Sequence, residues 1–289
     1  VLAQAAEFEQ RLASGEVLRL CDGRILATVF YEPSTRTRLS FESAMHRLGG
    51  GRVISVAEAK TSSSAAKGET IEDSARMLAG YADVIVQRHP AVGSARALAD
   101  AADVPVINAG DGTGEHPTQA LLDLYTIERE RGALDGLTVA MVGDLKNGRT
   151  VHSLARALAH WQVTLDFVSP PELSMPPALV AELRSRGTVV RETSNMDEAL
   201  QRADVAYITR IQQERFITPD EYLKYKGVYV ITADVVRRAK PGVSVLHPLP
   251  RVDEIATDVD NLPNAAYFRQ ARNGVYVRMA LLAMVLGAI

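Results

Sequence analysis

Cysteine occurs once in this 289-residue chain, as Cys21. One thiol excludes an internal disulfide framework and leaves no set of cysteines for a structural zinc; it fits a reducing compartment. Long apolar runs are also missing. Nothing approaches the ~18–20 residues of a membrane span, and no signal-peptide pattern opens the sequence as given, so a cytoplasmic location and no membrane partner are expected. Charge of one sign is lacking too: 32 Lys and Arg stand against 35 Asp and Glu, for a net charge of −3. That balance gives no nucleic-acid signature, and any anion site has to be built from locally gathered cations.

Several motif classes are absent. The six histidines form no H-x-x-x-H pair, and His89, His116 and His247 each precede a proline in separate loops. No lysine follows a P-loop spacing. "GDGTGE" at 110–115 has Glu115 where the third glycine of a dinucleotide fingerprint would stand. Ser34 and the serines at 62–64 have no neighbouring His–Asp arrangement, so nucleophilic hydrolysis has no support. Neither a metal nor an organic cofactor is expected.

What is present is a globular composition, 47% hydrophobic and 23% charged, in a length that suits one large or two ordinary domains. Short β-branched runs alternate with helical patterns. Strands are expected at 24–31, 51–56, 82–87, 104–109, 137–143, 163–169, 188–193, 205–210, 228–232 and 243–249, with helices such as 34–48, 69–80, 117–131, 150–160, 176–186 and 196–203. The alternation predicts an α/β fold of two doubly wound parallel-sheet domains. "ERERGALDG" (128–136) is the expected join, and "GVYVRMALLAMVLGAI" a C-terminal packing helix. The opening "VLAQAAEFEQRLASGE" is helical in period with no cap before it, which reads as a chain with preceding residues.

Ligands of open α/β sheets bind beyond the carboxyl ends of strands. Here those ends carry Ser34-Thr35-Arg36-Thr37, Arg88-His89-Pro90, "GDGTGEHPTQ", "DLKNGRT", Arg210-Ile211-Gln212 and "HPLPR". Arg36 and Arg38 are placed against the positive end of a helix dipole, which a bound phosphate would make favourable. An anionic ligand between the two halves is expected.

"STRTRLSFE", "KGET", "RHP", "HPTQALLDL", "GDLKNGRTVHSL" and "HPLPRVDEI", in order along essentially the whole chain, resemble the catalytic chains of the aspartate carbamoyltransferases. S-T-R-T-R is shared with the ornithine enzymes. Those carry Cys in the His-x-Leu-Pro segment where this chain has Pro248, so aspartate is the implied acceptor.

The resemblance implies carbamoyl transfer from carbamoyl phosphate to L-aspartate, early in pyrimidine synthesis. Residues 1–131 with 272–289 would bind carbamoyl phosphate and 132–271 aspartate, with the active site between them. Ser34, Thr35, Arg36 and Thr37 would take the phosphate, and Arg88, His116 and Gln119 the carbamoyl group. Ser63 and Lys67 would enter the site of a neighbouring subunit in a homotrimer. Arg149, Arg210 and Gln212 would take aspartate, and the carbonyls of Pro248 and Leu249 its amide and amino hydrogens, with Leu249–Pro250 cis. Arg36, Thr37, Lys67, Arg88 and His116 are the implied catalytic groups. Glu32 would pair with Arg149 and Arg215. Regulatory chains or other pyrimidine enzymes are candidate partners. The rival readings are a transcarbamoylase for another amino acid and a silent homologue serving as an assembly partner.

Overall fold

A computed structural model describes residues 1–59, 67–216 and 218–289, with the Glu214 side chain left out. The chain forms two compact units, Val1–Leu121 with Arg272–Ile289, and Leu122–Ala271.

The first unit runs α1 (Leu2–Ala13), β1 (Ile25–Phe30), α2 (Thr35–Arg47), β2 (Arg52–Val56), α3 (Ile71–Ala79), β3 (Val84–His89), α4 (Ser94–Ala101) and β4 (Val106–Asp111), and begins α5 (Pro117–Arg131). Its strands are parallel in the order β2-β1-β3-β4. The central strands β1 (ILATVF) and β3 (VIVQRH) are almost continuously buried, as a parallel sheet covered on both faces requires. Ala27, Val29 and Ile85 pack with Ala75, Leu78 and Leu98, which seats α3 and α4 on one face. Thr70 caps α3 through the Asp73 N–H at 3.1 Å, and Glu72 and Asp73 fill its first turn.

The second unit runs β5 (Thr138–Val142), α6 (Arg149–Leu158), β6 (Thr164–Val168), α7 (Pro177–Ser185), β7 (Val189–Thr193), α8 (Met196–Leu200), β8 (Val205–Ile208), α9 (Pro219–Leu223), α10 (Ala233–Arg238) and β9 (Ser244–Leu246), and begins α11 (Tyr267–Val285). Its parallel strand order is β7-β6-β5-β8-β9. Val142, Ile208, Val245 and Tyr267 share its core. After Arg131, α5 stops at Gly132, whose φ of +82° suits a residue without Cβ.

The expected strand at 228–232 does not form. Ile231 makes an isolated bridge with Ile255, donating to the Glu254 carbonyl and accepting from Ala256 N–H, each at 2.9 Å. The next residue, Thr232, already caps α10 through Val235 N–H, so the extended run has no length in which to join a sheet.

Each sheet reverses its winding once. In the first, the chain moves outward from β1 to β2, then returns to lay β3 and β4 on the other side of β1; in the second, β6 and β7 lie to one side of β5, and β8 and β9 to the other. Neighbouring loops diverge at such reversals and leave a crevice outside the strand ends. β1 with β3, and β5 with β8, are the strands flanking these two switch points.

Candidate active site

At the first switch point the chain leaves β1 while still tied to β3, the Tyr31 N–H donating to the Arg88 carbonyl at 2.9 Å. Ser34 is the N-cap of α2, but its hydroxyl makes no capping bond, and the first turn holds no acid. The two arginines then part. Arg38 Nη1 donates to Ser55 Oγ at 3.1 Å and lies 3.7 Å from Glu42 Oε1, with Thr28 and Ser55 hydroxyls also on Glu42. That corrects the expectation of two anion-facing arginines: Arg38 joins α2 to β2. Arg36 is exposed and makes no hydrogen bond or ion pair with any described residue. Free N–H groups, an uncapped hydroxyl and an unneutralised guanidinium give this helix start the chemistry that suits an anion. Thr37, next along, is buried.

Arg88 is the penultimate residue of β3, and its side chain is largely covered. Its Nε lies 3.3 Å from Glu32 Oε2, and Nη1 donates to the Ala109 carbonyl at 3.4 Å. Glu32 thus engages Arg88 within this unit, a contact that the sequence reading did not foresee.

The glycine-rich loop after β4 folds against the loop after β3. The buried Asp111 carboxylate accepts the Glu115 N–H at 2.7 Å and the Gly93 N–H at 3.0 Å, and Gly112 N–H donates to the His89 carbonyl at 2.8 Å. Gly112 has φ +57°, and a Cβ there would sit 2.0 Å from the Pro90 oxygen. Its missing side chain permits this close approach of the two loops. The loop delivers His116, 5% exposed, to the start of α5, where its carbonyl accepts the N–H groups of Gln119 (3.0 Å) and Ala120 (3.2 Å). Gln119 is buried beside it in the first turn. His89 is engaged elsewhere, with Nδ1 accepting Ala91 N–H and the ring edge-on to Tyr31 at 4.6 Å. Lys67 is exposed and makes no bond to a described residue. Ser63 lies outside the described residues.

Arg278 was missed. It is 3% exposed on α11, lies over the Phe41 ring of α2 at 5.0 Å, and donates to Thr118 Oγ1 of α5 at 3.5 Å. It therefore ties the second turn of α2, the helix that carries Arg36, to the first turn of α5, which carries Gln119. Its signal was faint: a lone charge inside a 16-residue apolar stretch, where burial of Arg demands a reason.

The second switch point is built in the same way. Gly143 follows β5 at φ +125°, and a Cβ there would meet the Thr209 carbonyl at 2.2 Å, so only glycine lets the ends of β5 and β8 close up. Buried Asp144 accepts the Asn147 N–H at 3.0 Å and both oxygens meet Asn147 Nδ2 at 3.1 Å, while His152 Nε2 reaches the Leu145 carbonyl at 2.7 Å. This closed loop delivers Arg149 as the first residue of α6, in a turn with no acid. Arg210 follows β8 and is half-buried, and Gln212 opens the short turn Gln213–Arg215. After β9 comes Leu249 with φ +53° and a cis bond to Pro250. Among the described residues, no group of three or more His, Cys, Asp or Glu is placed to hold a metal. Nor is any helix there long and apolar enough to cross a membrane.

Two doubly wound sheets, each with arginines at its switch point, define an α/β protein equipped for anionic substrates. The chain belongs to the aspartate/ornithine carbamoyltransferase family: the carbamoyl-phosphate-binding domain model matches residues 1–129, and the aspartate/ornithine-binding domain model residues 135–285. It is 54% identical to the aspartate carbamoyltransferase catalytic subunit of Thermococcus gammatolerans over 289 residues, all of this chain and 93% of that one. Among solved structures, the catalytic subunit of Methanocaldococcus jannaschii aspartate transcarbamoylase superposes with TM-score 0.93 at 52% identity, covering 99% of this chain and 92% of that one. Aspartate transcarbamoylase of Trypanosoma cruzi, in complex with carbamoyl phosphate and aspartate, superposes with TM-score 0.91 at 43% identity, covering 98% of this chain and 90% of the other.

Proposed function

We infer that this chain transfers the carbamoyl group of carbamoyl phosphate to the α-amine of L-aspartate, giving N-carbamoyl-L-aspartate and phosphate, an early step of pyrimidine synthesis. The observation that carries this is full-length identity above half to an aspartate carbamoyltransferase catalytic subunit. Pro248 supports aspartate over ornithine as acceptor.

The roles follow from chemistry at the strand ends. Residues 1–131 with 272–289 receive carbamoyl phosphate, and 132–271 receive aspartate. Ser34, Thr35, Arg36 and Thr37 hold the phosphate on the start of α2. Arg149, Arg210 and Gln212 hold the aspartate carboxylates, for which the planar fork of arginine is suited and never loses its proton. Holding two mutually repelling anions in attack geometry contributes about 7–11 kcal/mol. The neutral amine's lone pair attacks the carbamoyl carbon and the C=O electrons move to oxygen, where Thr37, Arg88 and His116 meet the charge. Gln119 holds the carbamoyl amide, and the Pro248 and Leu249 carbonyls accept the amide and amino hydrogens. Collapse breaks the bond to the phosphate oxygen, which leaves with the electron pair against Arg36 and takes the amine's proton.

Ser63 and Lys67 act in the site of a neighbouring chain of a cytoplasmic homotrimer, to which regulatory chains or other pyrimidine enzymes could bind. The test is product formation by the purified chain at saturating carbamoyl phosphate, with L-aspartate and L-ornithine compared. Carbamoyl-aspartate alone is expected; carbamoyl-ornithine, or no product with either, overturns the reading.

A further inference from the structure

His247 and Glu254 are buried in the second unit and have no role in the chemistry above, although they bracket the loop that contains Pro248 and Leu249. His247 Nδ1 accepts the Leu249 N–H at 2.8 Å, and Nε2 lies 2.7 Å from Glu254 Oε1. A ring accepting at Nδ1 and facing a carboxylate at Nε2 has its proton on Nε2, so the two contacts select one neutral tautomer. The other oxygen of Glu254 accepts the N–H groups of Val252 at 3.2 Å and Asp253 at 3.1 Å, which fixes the carboxylate in the loop's second half. Behind the ring, the His247 N–H donates to Gln270 Oε1 at 2.8 Å, and Gln270 Nε2 donates to Asp123 Oδ1 at 2.6 Å. The Tyr207 hydroxyl holds the other oxygen of Asp123 at 2.8 Å. The loop is thus anchored to α5, α11 and β8 by one run of buried hydrogen bonds.

Leu249 is where this run meets the backbone. Its φ of +53° lies in the left-handed region that a branched side chain adopts only when its surroundings impose it. The bond from its N–H to His247 Nδ1 is such a constraint, a side chain capturing the amide two residues on, as in an Asx turn.

We propose that His247, held in its Nε2–H tautomer by Glu254, is a positioning residue for the acceptor substrate. By fixing Leu249 in the left-handed turn it sets the direction of the Pro248 and Leu249 carbonyls. Those carbonyls then orient the α-amine, so that its lone pair points at the carbamoyl carbon. The inference rests on the reading that these carbonyls take the amino hydrogens. It adds what aims them.

The test compares His247→Ala, His247→Asn and Arg210→Ala with the wild type, with carbamoyl phosphate binding as the check that each variant is folded. Misaiming a substrate by an ångström costs on the order of 10²-fold. His247→Ala is therefore expected to lower kcat/KM for aspartate by about that factor, with carbamoyl phosphate affinity within about twofold. His247→Asn, whose Oδ1 can accept the same N–H, recovers roughly tenfold or more of the loss. In the wild type, ring ¹⁵N shifts of His247 should show a protonated Nε2 and a bare Nδ1.

The opposite tautomer, an unaffected His247→Ala enzyme, or an Asn variant no better than the Ala variant overturns the proposal. If the Ala variant does not fold, the Asn variant and the ring spectrum decide. Arg210→Ala separates the two levels. If it raises the aspartate KM while His247→Ala leaves kcat/KM unchanged, this inference alone fails; if it leaves KM unmoved, the reading of the aspartate side fails and the inference with it.

Discussion

Arg38 Nη1 lies 3.7 Å from Glu42 Oε1, one turn further along the same helix. This contact divides the arginines at the start of α2 by role. One charge is neutralised within the fold and bonded to β2 through Ser55, while Arg36, two residues before it, has no partner among the described residues. A helix start that keeps a free cation beside its own positive dipole end is unfavourable until an anion arrives. Under the proposed assignment, phosphate bound at this helix start offsets that cost.

Replacing His116 with alanine should lower kcat by about 10² to 10³, the usual loss for one oxyanion donor. Steady-state kinetics at saturating substrates measure it. An unchanged kcat would remove His116 from the carbamoyl oxygen and leave its burial at the start of α5 as packing alone.

Sharing of sites between chains has its own signature. If the proposed trimer shares its sites, the Lys67→Ala and Arg36→Ala proteins should each be nearly inactive, and mixing them with subunit exchange should restore activity, because some sites then combine an intact Arg36 with an intact Lys67. Exchange shown by mass spectrometry without recovery would mean that each site is complete within one chain.

Gly143→Ala tests the closure of the second switch point. A Cβ would sit 2.2 Å from the Thr209 carbonyl at φ +125°. Neither the backbone angle nor the contact can be relieved by a rotamer, so a loss of about 2 kcal/mol or more is expected. Urea unfolding reports it, and a variant as stable as the wild type would show that the strand ends can separate freely.

The Glu254 carboxyl carries a pH dependence. Burial pushes its pKa up, but the hydrogen bond from the His247 Nε2–H and the backbone N–H groups of Glu254 and Val252 hold it below its ordinary 4.5. A depressed folded pKa means that the unfolded chain takes up the proton first. The stabilisation is whole above the ordinary pKa and is lost as pH falls through the folded value. Glu254→Gln should therefore be less stable than wild type near neutrality, with a shallower loss of stability below about pH 4.5. Urea unfolding between neutrality and strong acid reads the slope; parallel curves would contradict it.

Much of this was legible in sequence because parallel central strands are continuous apolar runs: ILATVF and TVAMV declare themselves, and the polar groups that follow declare the ligand end. Side-chain partnership was not legible. Arg36 and Arg38 look alike on the page, and only the fold brings Ser55 and Glu42 to one of them. Ile231 looked like strand because β-branched composition does not reveal that Thr232 will start a helix. Arg278, Gln270 and the His247–Glu254 contact act through neighbours that no spacing rule connects, so the supports of the site were hidden even where its contact residues stood out.

The most direct measurement of the central claim, that the free start of α2 takes the departing phosphate, is kcat for Arg36→Ala beside Arg38→Ala. With Arg36 gone, the charge developing on the leaving phosphate loses its main cation, and kcat should fall by about 10² or more. With Arg38 gone, an i,i+4 ion pair worth roughly 0.3–0.5 kcal/mol of stability is lost and kcat should stay within about tenfold. Equal effects of the two substitutions, or a larger one at Arg38, would contradict the assignment.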